Sequence, residues 1–245
     1  MQMTVLGCWS PFPAAGEACL GYLLEHDGYR VLLECGSGVL GQLVLHMDLE
    51  QLDGVVLSHF HADHAADALI LRYAVHSLMR MDRRKDALKI FAIAEPAEEF
   101  ARLSYGAATE PVSVLPGEAR EIGPFTFQFV LGQHALPCLG MRISAGGRTL
   151  AYTGDSGYAE TLLKVAEGVD VLLAEASLRQ EDDEELRKGH MTGGQAGTLA
   201  RAAGAKRLLL THFHPLLDPR ERQREAMQHF NGPVEVVRSG ARYFI

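Results

Sequence analysis

Residues 57–71 read LSHFHADHAADALIL and crowd His59, His61, Asp63 and His64 into six positions. His59 and His61 stand two apart at the end of the apolar run LDGVVLSHF. Extended backbone alternates faces, so their side chains project to the same side. Asp63 and His64 follow where the pattern turns helical, in AADALILRYAVHSLM, and four donors can therefore meet in one small volume. A lone histidine is more often an ordinary loop residue; the HxHxDH spacing is what points to a metal. Imidazole and carboxylate together suit Zn²⁺, and Mn²⁺ or Fe²⁺ also accept such donors.

Further candidates recur downstream, each at or beside an expected strand end: His134 in GQHALPCLGMR, Asp155 in AYTGDSG and His212 in LLLTHFHP. In this order the segments resemble the metallo-β-lactamase superfamily over nearly the whole chain. The resemblance implies that His59, His61 and His134 hold one divalent ion, that Asp63, His64 and His212 hold a second, and that Asp155 bridges them. Two cations a few ångströms apart repel strongly unless an anion lies between them, so a bridging carboxylate is physically apt. Flavodiiron proteins, the redox branch of this superfamily, carry glutamate where this chain has His61, which points to hydrolysis instead.

Paired divalent ions can lower the pKa of a shared water, align it for attack and offset charge on a leaving oxygen. Those tasks suit phosphodiesters, and also lactams and thioesters. LLAEASL (172–178) and GHMTGGQAGTLARAAGAKRLLLTHFHP (189–215) resemble the ribonuclease Z and phosphodiesterase branch. That resemblance implies a leaving-group dyad of Glu175 and His190, with Asp63 orienting the attacking water. A carboxylate bonded to an imidazole raises its pKa and fixes its tautomer, preparing His190 to donate a proton.

The chain also departs from that branch. His214 stands where serine is usual, and Glu34, in LLECGSG, stands where aspartate customarily supports the metal histidines. No Gly-rich basic insertion matches the long arm with which ribonuclease Z grips tRNA. The net charge of −8 weighs against a large nucleic-acid footprint. RMDRRKDALK (80–89) is interrupted by Asp82 and Asp86 and reads as the solvated end of a helix. The acidic run Glu181–Glu185, which lies between Glu175 and His190 in the sequence, disfavours a polyanion passing nearby. A small nucleotide-like or cyclic phosphodiester is the expected substrate. The competing readings are tRNA 3′ processing of the ribonuclease Z type and a non-catalytic metal-binding protein of the same fold. Thioester hydrolysis of the glyoxalase II type ranks lower, since that family appends a helical domain for which this chain has little room.

The elements that must position these residues are legible in outline. Short runs of Val, Leu, Ile and Phe predict strands near 2–7, 20–26, 29–34, 54–58, 88–93, 125–131, 139–144, 148–152, 169–174, 206–211, 233–237 and 242–245. Helical periodicity falls near 38–46, 64–82, 95–104, 157–167, 193–203 and 219–229. Thr192-Gly193-Gly194-Gln195 has the pattern of a capping box, which places His190 in the loop ahead of a helix. Gly36 and Gly38 are expected to serve tight backbone geometry. With these elements the resemblance implies an α/β fold, a four-layer αβ/βα sandwich with its metal cleft along one edge.

At 245 residues the chain fits one large α/β domain or two small ones, and the lack of a linker or repeat favours a single domain over 1–245. LPGEAREIGPF (115–125) is the best candidate for an internal seam. Cys8, Cys19, Cys35 and Cys138 form no CxxC pair and read as reduced, buried thiols. No secretory signal opens the chain, and no apolar run reaches about 18 residues. A cytoplasmic protein without membrane contact is expected, and dimers among relatives make a homodimer one expected state.

Overall fold

A computed structural model describes residues 1–245. The first half builds β1 (Gln2–Gly7), β2 (Gly21–His26), β3 (Tyr29–Leu33), α1 (Val39–Leu43), β4 (Gly54–Val56), α2 (Ala62–Ala65), α3 (Ala68–Arg80), β5 (Leu88–Ala92), α4 (Ala97–Arg102) and β6 (Thr109–Ser113). The second builds β7 (Ala119–Ile122), β8 (Phe125–Leu131), β9 (Leu139–Ala145), β10 (Arg148–Tyr152), α5 (Glu160–Ala166), β11 (Val171–Glu175), α6 (Gly193–Ala203), β12 (Leu208–Thr211), α7 (Pro219–Met227), β13 (Val234–Val236) and β14 (Arg242–Phe244).

Two seven-stranded mixed sheets result, in the orders β14-β1-β2-β3-β4-β5-β6 and β13-β12-β11-β10-β9-β8-β7. The last strand thus returns to the first sheet and pairs antiparallel with β1. Each sheet has antiparallel strands on one side and parallel strands on the other, from β3 to β6 and from β10 to β13. Helices cover the outer faces, as the αβ/βα sandwich requires. The main core lies between the sheets, where Phe125, Phe127 and Phe129 of β8 join Tyr22, Tyr152 and Leu24. A buried hydrogen bond of 2.6 Å between Tyr22 Oη and Thr211 Oγ1 ties one sheet to the other.

A second core packs the outer face of the first sheet against α1 and α3. Ala68, Leu71 and Val75 recur three and four apart on α3 and are buried there. Full burial of a leucine or valine contributes roughly 1.5–3 kcal/mol, so this stripe, rather than helix propensity, holds α3 in place.

Sequence periodicity predicted one helix over 64–82, whereas the chain forms α2 and α3 with a break at Ala66-Asp67. The backbone groups that would continue the helix are engaged elsewhere. The Asp63 carbonyl accepts Leu20 N–H at 3.0 Å, and Asp67 N–H donates to the Cys35 carbonyl at 3.0 Å. The Asp67 carboxylate accepts Leu40 N–H. Tertiary bonds thus override the helical ladder and fix the turn that carries Asp63 and His64.

The segment 115–125 is where the chain passes from one sheet to the other, as a seam should. It contains β7, and β6 lies just before it. Neither strand was predicted: TEPVS contains proline and AREI is mostly polar, and both form sheet edges, where such residues are tolerated. The capping box at Thr192 forms as expected, with Gln195 N–H donating to Thr192 Oγ1 and Thr192 N–H to Gln195 Oε1. All four cysteines are free and buried. No helix is long and apolar enough to cross a membrane.

Candidate metal centre

The donors come from loops at one edge of the sandwich, beyond the carboxyl ends of β4, β8, β10, β11 and β12. Ligands in open α/β sheets commonly bind at such ends. His59 and His61 follow β4, and Asp63 and His64 lie in α2. His134 follows β8, Asp155 follows β10, Glu175 ends β11 and His212 follows β12. Two groups of donor atoms converge, with all atoms of each within 4.8 Å of one another: His59, His61, His134 and Asp155 in one, Asp63, His64, Asp155 and His212 in the other. Asp155 belongs to both. Its Oδ1 lies 3.2 Å from His64 Nε2, and its Oδ2 lies 3.1 Å from His212 Nε2 and 3.8 Å from His59 Nε2.

These short distances do not make a satisfied hydrogen-bond network. His64 Nε2, His212 Nε2 and Asp155 Oδ1 are buried, and their directions miss hydrogen-bond alignment with any partner. Buried polar atoms are normally paired, so this gathering of unpaired ones needs an explanation. In the other group, His134 Nδ1 contacts the Gly189 carbonyl at 2.9 Å, a contact in which the ring must donate. This leaves the Nε2 lone pair of the neutral ring facing His61 Nδ1 at 3.1 Å. His61 Nδ1 also sits 3.0 Å from His59 Nε2. Lone pairs converging in a buried pocket beside carboxylates are the donor chemistry of a divalent cation, and the residues fit such an ion.

Charge reinforces that fit. Burial opposes ionisation of Asp155, yet the charges of His212 and His64 hold its carboxyl well below the usual range. Burial likewise opposes ionisation of Asp63, while His212 and His64 beside it keep its carboxyl low. Burial disfavours charge on His212 and His64 too, but the surrounding carboxylates together outweigh it, Asp155 foremost with Asp63 and Glu175 around His212 and Glu34 beside His64, lifting His212 to about 10 and His64 well above its ordinary value. In the first group burial dominates and holds His59, His61 and His134 low, favouring neutral imidazoles.

Glu34 answers the question raised by its replacement of aspartate. Fully buried, it accepts Ser58 N–H on Oε2 at 3.1 Å and sets Oε1 3.2 Å from His64 Nδ1. The longer side chain thus reaches the metal histidine. Glu34 and His212 have φ values of 61° and 67°. Left-handed backbone at such residues is strained, and here it falls on the two loops that aim site groups. Gly36 is needed because a Cβ there would stand 1.9 Å from the Asp63 carbonyl oxygen, and Gly38 has φ 85°.

The structure also joins Glu175 and His190. His190 Nδ1 lies 2.9 Å from Glu175 Oε1, and the buried carboxylate accepts Ser156 N–H, Ser177 N–H and Ser177 Oγ–H as well. Burial opposes charge on His190, but Glu175 raises its pKa overall. The His190 ring stacks on His212 with centroids 5.4 Å apart and meets His134 edge-on at 5.0 Å. All the predicted site residues therefore meet in one place.

Sequence reasoning missed Ser10, whose Oγ donates to Asp63 Oδ2 at 2.8 Å. It also missed the groups behind His59, whose Nδ1 lies 3.0 Å from Ser58 Oγ and 3.5 Å from Cys138 Sγ. Ser10 sits in WSPFP, which has no motif spacing to mark it. The basic run is structural, with Arg83 paired to Glu50 and Arg84 donating to the Leu52 carbonyl.

Residues 29–213 match the model of the beta-lactamase superfamily domain. The chain belongs to that superfamily. It is 37% identical over 240 residues to a probable metallo-hydrolase, YhfI, of Bacillus subtilis strain 168, covering 98% of each chain. The crystal structure of YhfI, a metallo-beta-lactamase fold protein, superposes with a TM-score of 0.95 and 36% identity over 99% of this chain and 98% of that one. A ribonuclease Z of Thermobifida fusca is 27% identical, with 95% of this chain and 91% of that protein aligned. A diphosphatase of the PhnP family shares the fold, with a TM-score of 0.76 at 19% identity over 100% and 97% of the two chains.

Proposed function

We propose that the chain is a two-metal phosphodiesterase that cleaves a small nucleotide-like or cyclic phosphodiester, its whole length acting as one domain. The observation that carries this reading is the Glu175–His190 dyad standing against the donor cluster, His190 Nδ1 being 2.9 Å from Glu175 Oε1. The metallo-hydrolase name of its Bacillus relative and the alignment with a ribonuclease Z support it. His59, His61 and His134 would hold one divalent ion, Asp63, His64 and His212 the other, with Asp155 shared; Zn²⁺ suits the donors best. When bound, such a pair supplies an activated water and offsets negative charge around phosphorus.

The remaining steps belong to the protein. Asp63, held by Ser10, presents a carboxylate that orients the attacking water and accepts its proton. Glu175 holds the Nδ1 edge of His190, so Nε2 is the nitrogen available to donate a proton to the leaving oxygen. Glu175 raises the pKa of His190 against the opposing effect of burial, which favours the form that carries this proton. Attack forms the new P–O bond, the ester P–O bond breaks, and the alcohol leaves with the proton from His190.

The ribonuclease Z alignment also favours a second reading, tRNA 3′ processing. The acidic residues 181–185 beside the dyad and the lack of a basic arm weigh against it. A panel of phosphodiesters, including cyclic nucleotides and a tRNA precursor, assayed with Zn²⁺ and Mn²⁺ forms separates the two. Small diesters should turn over, and His190→Ala should lower kcat by about 10²–10⁴-fold at unchanged metal content. Unchanged turnover in that variant contradicts the dyad; cleavage of the precursor alone contradicts the substrate class.

A further inference from the structure

Beside the donor cluster lies a cavity of ≈ 540 Å³, into which His190 and His212 open. Its size falls in the range of roughly 300–1,000 Å³ that encloses small ligands. One wall carries charge that is already spent. Arg179 donates to Asp182 through Nε at 3.1 Å and Nη2 at 2.7 Å, and its Nη1 stands 3.3 Å from Glu181. This wall offers no unpaired cation to a second phosphate.

His214, Pro11 and Leu217 also line the cavity. Phe12 lies outside that lining, is 45% exposed and meets His214 edge-on with centroids 5.6 Å apart. The backbone fixes this pairing, for Ser10 N–H donates to the Phe213 carbonyl and Phe213 N–H to the Cys8 carbonyl, each at 2.9 Å. His214 Nδ1 accepts Leu216 N–H at 3.2 Å, so in the neutral ring Nε2 carries the hydrogen and remains a donor. The same short loop delivers Ser10 to Asp63 and Phe12 to His214, which couples the cavity's shape to the centre itself.

We infer that Phe12 and His214 form a recognition subsite for an uncharged aromatic heterocycle of the nucleobase class, carried on the leaving side of a substrate with a single phosphodiester. This inference rests on the phosphodiesterase reading, because the position of His190 is what identifies the leaving side. An aromatic face gains from stacking against any base, and the His214 donor gives a ring nitrogen or carbonyl a partner. The balanced Arg179 wall and the neighbouring carboxylates discriminate against a longer polyanion, whose next phosphate would find no counter-charge there.

The test compares adenosine 3′,5′-cyclic phosphate with the same cyclic sugar phosphate bearing hydrogen in place of the base, using the metal-loaded full chain. The wild type should prefer the base-bearing ester by about tenfold in kcat/KM. Phe12→Ala and His214→Ala should each carry that preference toward unity through KM, while Phe12→Trp, which keeps a ring in place, retains it. Metal content, measured on every variant, confirms an intact centre. Turnover of both esters with equal kcat/KM in the wild type, or a preference that survives both alanine variants, overturns the subsite alone. Turnover of neither ester overturns the phosphodiesterase reading and the subsite with it.

Discussion

The two donor groups that share Asp155 are built on different plans. Asp63, His64 and His212 are all buried, and carboxylates surround them: Asp155 within the group, Glu34 behind His64 and Glu175 near His212 at 4.0 Å. His59, His61 and His134 form an imidazole-rich group, of which His61 is only half-buried. The electrostatics divide along the same line, with His64 and His212 raised by neighbouring anions and the other three rings kept neutral by burial. The carboxylate-rich group demands positive charge more strongly than the cluster of neutral rings, because a buried carboxylate without a counter-charge is costly. It is therefore expected to hold its ion more tightly.

The sharpest way to break this comparison is to remove the group common to both sides. Asp155→Ala should empty both sites and reduce hydrolysis by more than about 10³-fold, because loss of the bridging anion leaves two cations repelling each other. Metal analysis alongside initial rates checks this; full retention of either ion would show that the groups are independent. A smaller effect sharpens the contrast. Glu34→Ala removes the carboxylate beside His64, and reaches His59 only indirectly through Ser58. It should weaken the metal affinity of the carboxylate-rich group by about 10–100-fold, the usual effect of losing a carboxylate that orients a ligand histidine. Competition with a chelator should then release that group's ion first, reversing the wild-type order. An equal loss from both groups would remove the distinction.

What could be read from the residues alone follows from how locally each feature is encoded. His59, His61, Asp63 and His64 announced themselves because six consecutive positions carry them at strand-end spacing. His134, Asp155 and His212 were picked out because their segments, in this order, resemble the superfamily's motifs, and each lies at or beside an apolar strand run; the parallel order of β10, β11 and β12 brings Asp155 and His212 to one edge. The Thr192 cap was legible for the same reason, since four residues contain the whole motif. Features set by distant partners were hidden. Ser10 meets Asp63 across 53 positions, and the break between α2 and α3 depends on Leu20 and Cys35 capturing backbone groups that helical periodicity assigns to the helix itself. The reach of Glu34 to His64 needed coordinates as well, because the sequence shows only that a longer acid has replaced a shorter one. Strands β6 and β7 failed by composition, their proline and polar residues being tolerated only because they lie at sheet edges.

The most direct test of the central claim is anomalous diffraction at the zinc edge from crystals of the Zn²⁺-loaded protein. Two peaks are expected, one bounded by His59, His61 and His134, the other by Asp63, His64 and His212, with an Asp155 oxygen facing each. Peaks elsewhere in the molecule, or none at this edge of the sandwich under saturating Zn²⁺, would contradict the account.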